Sequence, residues 1–343
     1  LVLYCDFISF IKRLGVSAQM AQVDADVENE ENAGLACQSI MKFEVKGFTM
    51  LDLKKLKEAG YHTVESIAFS TRKELLAVRG ISTEKALRLQ TEAYKLFPMG
   101  FTTASEVHFR RADCVRIKTG SQALDRLLGG GIETGSITEL IGDNRTGKTQ
   151  ICHSLAVICQ LPIDMGGAAG KCMWIDTGNT FRPEITVATA QRFGMGPSVF
   201  LENISIASCY NSEHQFHLAV AAAAMMSESR YALLIVDSGM SLFRANYNGK
   251  DEWENGRTAY RGFVHQLKRL ANQFGIAVVI TNQIHSCAMG SPIDNNDITT
   301  RLALRMGEGA TRVCKVHQSP CLAEGEATFS ITSAGIDDVQ VAV

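Results

Sequence analysis

The sequence predicts an open α/β fold with a mixed, largely parallel twisted sheet, preceded by a small all-α domain. Three observations carry that expectation. Gly142-Asp143-Asn144-Arg145-Thr146-Gly147-Lys148-Thr149 fits G-x-x-x-x-G-K-[ST], the phosphate-binding loop of nucleoside triphosphatases, and lies between a strand-like run, Ser136–Ile141, and a helix-like run, Gln150–Gln160. Tyr231–Asp237 is a continuous apolar run ending in a carboxylate, the pattern of a buried parallel strand. From Val115 onward, strand-like and helix-like segments alternate.

With 343 residues the chain exceeds the usual single domain of about 100–200 residues, so at least two folded units are expected. Residues 1–47 read as a disordered or extraneous segment. Leu1–Gly15 is apolar without a preceding basic region, a poor signal peptide, and Met20 followed by acidic Asp24–Glu31 reads as a natural start, which makes residues 1–19 extraneous. Residues 48–97 form the helical unit: Leu51–Ala59, Val64–Phe69, Arg72–Ala77 and Thr83–Leu96 have apolar residues at helical spacing, punctuated by Gly60 and Gly80. Val78–Ser82 reads as a helix-hairpin-helix turn whose Gly80 lets backbone N–H groups approach a DNA phosphate; a purely structural helical hairpin is the alternative. Residues 98–114 read as a linker in which an extended Phe101-Thr102-Thr103-Ala104 adds as a strand to a neighbouring sheet, or in which Phe101 packs on its own domain.

The core, residues 115–343, carries candidate strands at Ser136–Ile141, Lys171–Asp176, Phe200–Ala207, Tyr231–Asp237 and Ile276–Thr281, then a strand-rich tail at Arg301–Arg305, Thr311–Val316 and Ala327–Thr332. Helices are expected at Gln150–Gln160, Ile185–Phe193, Glu213–Ser227 and Tyr260–Phe274. In such a sheet the ligand edge lies at the strand C-termini.

The motif's chemistry follows from the charge of a triphosphate such as ATP or GTP. Gly142 and Gly147 let the backbone curl with its N–H groups inward, Lys148 reaches the β- and γ-phosphates, and Thr149 offers a hydroxyl to Mg²⁺. Asp143, Asn144, Arg145, Thr146 and Gln150 complete the ATP-binding set, at the positive end of the following helix. Asp237, at the end of its strand, is the second metal candidate, a helix cap being the alternative.

Composition narrows the classes further. The 34 Lys and Arg against 36 Asp and Glu give a net charge of −2, so nucleic-acid binding must come from local patches. Ten cysteines without a C-x-x-C read as reduced thiols of a cytosolic or nuclear protein, and neither end is apolar enough to span a membrane.

Gly100–Ala104, Thr119-Gly120-Ser121, Gly129–Thr138, Arg145–His153, Gln160–Asp164, Phe181-Arg182-Pro183-Glu184, Glu228–Ser238 and Ile280–Gln283 together resemble the eukaryotic RecA/RadA-type strand-exchange recombinases, over roughly Lys42 to Asp338 and most closely their mitotic DNA-repair branch. The resemblance implies a RecA-like ATPase core and a nuclear, DNA-dependent ATPase using ATP and Mg²⁺. Its implied partners are single- and double-stranded DNA, further copies in a helical filament, and recombination mediator proteins. It makes Phe101 and Ala104 the protomer interface, which generates a filament where the head-to-tail contact does not close. It makes Lys148 and Gln283 catalytic, Gln283 sensing the γ-phosphate; a strand-end amide capping a turn is the alternative. It places the first DNA-binding loop at Arg244–Arg257, with Arg244, Tyr247, Lys250 and Arg257 supplying charge and a stacking face, although Asp251, Glu252 and Glu254 interleave as in a plain solvated loop.

The departures bear on function. Gly178 stands where the family places the glutamate that activates the attacking water, and general-base assistance is typically worth a factor of about 10²–10⁴. Asp176 is one substitute, or serves structure or metal. Asn144 replaces an aromatic and Ile185 an arginine that packs on adenine, which weakens nucleotide binding without abolishing it. Ile284–Ile298 is a shortened second DNA-binding loop with Asp294 and Asp297 and no Lys or Arg, and Arg305–Gly309 has lost basic residues. DNA affinity is accordingly expected to be poorer than in a standard recombinase. Two functions follow: a recombinase that promotes homologous pairing and strand exchange in double-strand break repair, or a catalytically impaired, ATP-binding relative that regulates filaments.

Overall fold

The helices begin where hydroxyl side chains can cap them. Thr49, Thr63, Thr71 and Ser82 each accept a backbone N–H at the start of Met50–Glu58, Val64–Ala68, Arg72–Ala77 and Thr83–Leu96. The computed structural model describes residues 38–97, 99–247, 249, 252–283 and 295–339, all within one unit of the chain, Cys37–Val343. The proposed extraneous segment 1–19 lies outside them.

The four capped helices enclose Leu53, Leu56, Ile67, Leu75 and Leu89. The described end of the segment expected to be disordered joins them instead: Ile40–Lys46 is a 3₁₀ turn, and Ile40 and Phe43 are buried in the same cluster. Two apolar residues three apart were enough to bring this stretch into the core, despite its acidic approach.

The linker is also corrected. Thr103 and Glu106 form a reciprocal capping box, so Ala104 opens a helix, Ala104–Ala112, and of the segment Phe101–Ala104 expected to be extended only Phe101–Thr103 is non-helical. None of that helix's residues is buried.

One nine-stranded sheet organises the rest, in the order β11-β10-β9-β8-β3-β7-β6-β4-β5. Its strands are β3 Ile137–Gly142, β4 Lys171–Asp176, β5 Ile204–Ser208, β6 Tyr231–Asp237, β7 Ala277–Gln283, β8 Thr300–Met306, β9 Thr311–Gln318, β10 Glu326–Thr332 and β11 Gly335–Asp338. From β8 to β5 neighbouring strands are parallel, and β8 to β11 are antiparallel. All seven residues of β6 are buried, which explains its unbroken apolar run. Leu155, Trp174, Phe200 and Phe329 pack on one face, and Phe243, Phe263, Leu267 and Ile280 on the other. Among the described residues no helix is long and apolar enough to cross a membrane, and seven cysteines are free.

Three expectations need adjusting. Phe200 belongs to a helix, Pro197–Glu202, with proline in its first turn, and the strand starts only at Ile204. The helix expected from Tyr260 begins at Trp253. The pair β1 Arg116–Ile117 and β2 Ile132–Glu133, and the edge strand β11, were not anticipated because two to four residues are too short for a periodic signal.

The long helix Trp253–Phe274 joins the two parts. Its Arg269 Nη2 donates to Ser70 Oγ at 2.8 Å and its Gln273 Nε2 to Thr63 Oγ1 at 2.6 Å, both in the helical segment.

Candidate nucleotide and nucleic-acid sites

β3 delivers Gly142 to the sheet's C-terminal edge, and the loop Asp143–Gly147 turns from there into the helix Lys148–Ile158. Glycine is required at both ends of this turn. A Cβ on Gly142 would lie 2.4 Å from the Leu304 carbonyl oxygen, and Gly147 has φ +102°. The result is a backbone cradle that side chains would fill. Thr146 Oγ1 donates to the Asp143 carbonyl at 2.9 Å, and Arg312 Nε to the Arg145 carbonyl at 3.0 Å, holding the loop from inside and from β9.

Lys148 is buried within the loop, its Nζ donating to the carbonyls of Gly142 at 2.8 Å and Asp143 at 2.7 Å. Burial draws its pKa down, and the Asp237 and Asp143 carboxylates oppose that shift. The ammonium is thus presented at the phosphate loop without an ion pair of its own among the described residues.

Asp237 sits on the strand β6 as expected, and three hydroxyls converge on it. Thr149 Oγ1 reaches Oδ2 at 2.9 Å, Thr180 Oγ1 reaches the same oxygen at 2.8 Å, and Thr281 Oγ1 donates to Oδ1. Sequence reasoning found Thr149 and Asp237 but missed Thr180 and Thr281. The β6–β7 register places Thr281 directly opposite Asp237. Thr149 and Asp237 supply hard oxygen donors of the kind Mg²⁺ favours, so the residues present fit ATP with Mg²⁺. Among the described residues no cluster of three His, Cys, Asp or Glu offers an alternative metal site.

Gly178 is exposed on the loop after β4, and a Cβ there would meet only Thr180 Cγ2, at 3.2 Å. Asp176, weighed as a substitute for a carboxylate at this position, is turned onto the loop backbone. Its Oδ1 accepts N–H groups from Gly178 and Thr180 at 3.1 Å, and its Oδ2 the N–H of Phe181 at 3.0 Å, so it shapes this loop. His153, also unforeseen, pins the same loop. Its Nδ1 lies 2.8 Å from the Thr149 carbonyl, which can only accept, and its Nε2 accepts the Arg182 N–H at 3.0 Å, fixing the neutral Nδ1–H tautomer.

The β3–β7 register pairs Gly142 with Gln283, so the exposed Gln283 ends its strand beside the first residue of the phosphate loop. Asn144, Arg145 and Asp143 are exposed on the loop and Gln150 is half-buried one residue after Thr149.

The Rad51 family model matches residues 110–339 of this chain. The chain belongs to the Rad51 family. It is 47% identical over 336 residues to the DNA repair protein RAD51 of Saccharomyces cerevisiae, covering 93% of this chain and 84% of that protein. It is similar to the DNA repair protein rhp51 of Schizosaccharomyces pombe, 51% identical over 311 residues with 87% and 85% covered. To the DNA repair protein Rad51 homolog of Drosophila melanogaster it is 47% identical over 334 residues, with 94% and 99% covered.

The nucleic-acid residues expected of this Rad51-family chain are more dispersed. Arg244 lies in a helix, Ser241–Asn246, and Arg257 in Trp253–Phe274, so the first loop is shorter than the expected Arg244–Arg257. Arg244 is half-buried with Nη2 at 3.5 Å from the Gln283 carbonyl, and burial draws its pKa down. Arg257 Nη1 pairs with Glu254 at 3.3 Å. Tyr247 is half-buried against Gly256, whose added Cβ would come within 2.8 Å of the tyrosine Cβ. Lys250 and residues 284–294 lie outside the described residues. Gly80 is exposed with φ +91°, as the hairpin turn requires, and Lys55 Nζ lies over it, 2.6 Å from where a Cβ would stand. Phe101 is fully exposed and Ala104 is exposed beside it.

Proposed function

We propose that this Rad51-family protein is an ATP-dependent, DNA-binding recombinase that forms filaments on single-stranded DNA and promotes homologous pairing and strand exchange in double-strand break repair in the nucleus. The observation that carries this reading is the phosphate cradle Gly142–Thr149 with Lys148 inside it, Thr149 bonded to Asp237, and Gln283 in register with Gly142.

The residues act as follows. The loop's N–H groups and Lys148 bind the phosphates, and the helix they open adds its positive end. Thr149 and Asp237 would hold Mg²⁺, which when bound would supply positive charge to offset that of the phosphates. Thr180 and Thr281 orient the Asp237 carboxylate. Gln283 positions the reacting end. Phe101, free of its own core, inserts with Ala104 into the next copy to extend the filament, the kind of contact that suits a short non-helical segment. Arg244, Tyr247, Lys250 and Arg257 contact single-stranded DNA, and Gly80 with Lys55 a phosphate of the duplex; mediator proteins load the filament.

Gly178 sets the rate. Asp176 is occupied by three backbone N–H groups and so is not free to take a proton from the attacking water. Basal hydrolysis is slow, and the filament persists in its ATP-bound form.

ATP turnover with and without single-stranded DNA, beside a strand-exchange assay, tests the reading. DNA-stimulated turnover and exchange are expected, with Gly178→Glu raising kcat by about 10²-fold. Nucleotide and DNA binding without any exchange, in both the parent and Gly178→Glu proteins, would instead assign it the regulatory role.

A further inference from the structure

His153 lies one turn into the helix Lys148–Ile158 and is fully buried, its ring stacked on Phe181 at a centroid distance of 5.3 Å and tilted against Trp174 at 4.9 Å. Its two nitrogens join separate segments. Nδ1 donates to the Thr149 carbonyl at 2.8 Å, in the phosphate-loop helix, and Nε2 accepts the Arg182 N–H at 3.0 Å, at the far end of the loop that follows β4. The near end of that loop is tied to β6, where the Thr177 N–H donates to the Asp237 carbonyl at 2.9 Å and Thr177 Oγ1 accepts the Ser238 N–H at 2.8 Å. Between these two anchors run Gly178, Asn179 at φ +51° and Thr180.

Thr180 is the residue that this anchoring aims. Its hydroxyl has one proton and two carboxylates in reach, Asp237 Oδ2 at 2.8 Å and Asp176 Oδ1 at 3.3 Å, and only one of them can receive it. Asp176 Oδ1 already accepts the Thr180 and Gly178 N–H groups at 3.1 Å, whereas Asp237 Oδ2 takes its hydrogen bonds from the hydroxyls of Thr149 and Thr180. The two acceptors are close enough that a small displacement of the loop hands the proton from one carboxylate to the other. Arg182 Nη1 closes the loop on itself, donating to the carbonyls of Asn179 at 2.9 Å and Phe181 at 2.8 Å, so a shift of the Arg182 backbone carries Thr180 with it.

We propose that His153 is a positioning residue: by bracing the Arg182 backbone against the Thr149 carbonyl, it sets the loop so that the Thr180 hydroxyl serves Asp237, and it thereby raises the affinity of the Thr149–Asp237 pair for a divalent cation. This role rests on the nucleotide reading above. Imidazole suits the place because one rigid ring offers a donor and an acceptor on different edges, and Phe181 and Trp174 hold the ring so that both edges meet their partners. Asparagine can replace the Nδ1 donor but is too short to reach Arg182, and phenylalanine fills the space with neither group. Partners that orient a ligating carboxylate typically contribute 10–100-fold in metal affinity, which sets the size of the effect at about tenfold for one hydroxyl among several.

The test uses the full chain and titrates Mg²⁺ into protein held with a fluorescent, non-hydrolysable ATP analogue, with affinity for the same analogue in EDTA and the melting temperature measured alongside. His153→Asn and Thr180→Val should each weaken apparent Mg²⁺ affinity about tenfold and leave analogue affinity in EDTA within about twofold. Because both changes act on one hydroxyl, the double variant should also lose about tenfold, not the roughly 100-fold of two independent sites. A merely structural role for His153 would lower the melting temperature and multiply with Thr180→Val, and that outcome overturns the proposal. So does a His153→Asn protein with the Mg²⁺ affinity of the parent. Should His153→Asn not fold, His153→Phe carries the same comparison, since it keeps a ring between Phe181 and Trp174. A parent that binds the analogue equally well with and without Mg²⁺ overturns this role and leaves nucleotide binding standing. A parent that binds no analogue at all removes the nucleotide reading itself, and the role of His153 with it.

Discussion

The phosphate loop and the segments proposed to face DNA lie at the ends of neighbouring strands, yet they are built by opposite means. At the nucleotide side, a five-residue turn is fixed by glycines, by Thr146 and Arg312 on its carbonyls, and by a buried lysine. At the other side, Arg244 is half-buried on a short helix and Arg257 is engaged by a glutamate. The first region is preorganised by the fold. The second is held by fewer contacts of its own, so substitutions in the two regions should show up in different measurements.

The largest effect is expected in the buried layer that both regions share. Arg301 and Glu139 are paired with side chains only 3% and 4% exposed. Arg301→Met leaves a carboxylate buried without its cation, which typically costs about 3–5 kcal/mol, read in urea denaturation. The exposed pair Arg111–Glu133, with 54% of the arginine side chain in water, sets the contrast: Arg111→Ala should change stability by less than about 1 kcal/mol. Equal losses from the two variants would mean that burial does not distinguish these regions.

Next in size is Lys148→Ala. Removing the ammonium from inside the loop should lower affinity for ATP with Mg²⁺ by about 100-fold in calorimetry, the worth of charged hydrogen bonds to phosphate, with little change in melting temperature. Phe101→Glu should do the reverse. Being fully exposed, it should leave nucleotide affinity and melting unchanged and abolish self-association in sedimentation. An ATP affinity that survives Lys148→Ala would erase the distinction between the two regions.

The same contrast governs how much could be read in advance. The phosphate loop, Asp237 and the sheet strands were legible because their chemistry is local: eight consecutive residues set the cradle, and burial on both faces writes itself as an apolar run. Thr180, Thr281 and His153 escaped because their partners lie 57, 44 and 29 residues away and only the fold brings them together. Phe200 was misplaced because a short apolar stretch does not tell a buried helix from a strand, although Pro197 was a helix-start signal. The capping box Thr103–Glu106 was equally visible and marks the helix that an extended linker had been expected to occupy.

The smallest predicted effect probes the side proposed to face DNA most directly. Each phosphate neutralised by a cation releases counterions, and for single strands the slope of log affinity against log salt changes by about 0.7 per contact. Arg244 is held by burial and by the Gln283 carbonyl at 3.5 Å, so it is aimed from the root of the first segment and stays beside the end of β7. Arg244→Gln keeps the hydrogen-bonding donor but loses the charge. Its titrations of oligo-dT across a salt series should therefore run about 0.7 shallower in slope than the parent, with ATP affinity in the absence of DNA preserved. A slope identical to the parent's would place Arg244 in the preorganised region, as a support for Gln283, and would move the boundary between the two regions to the far side of that helix.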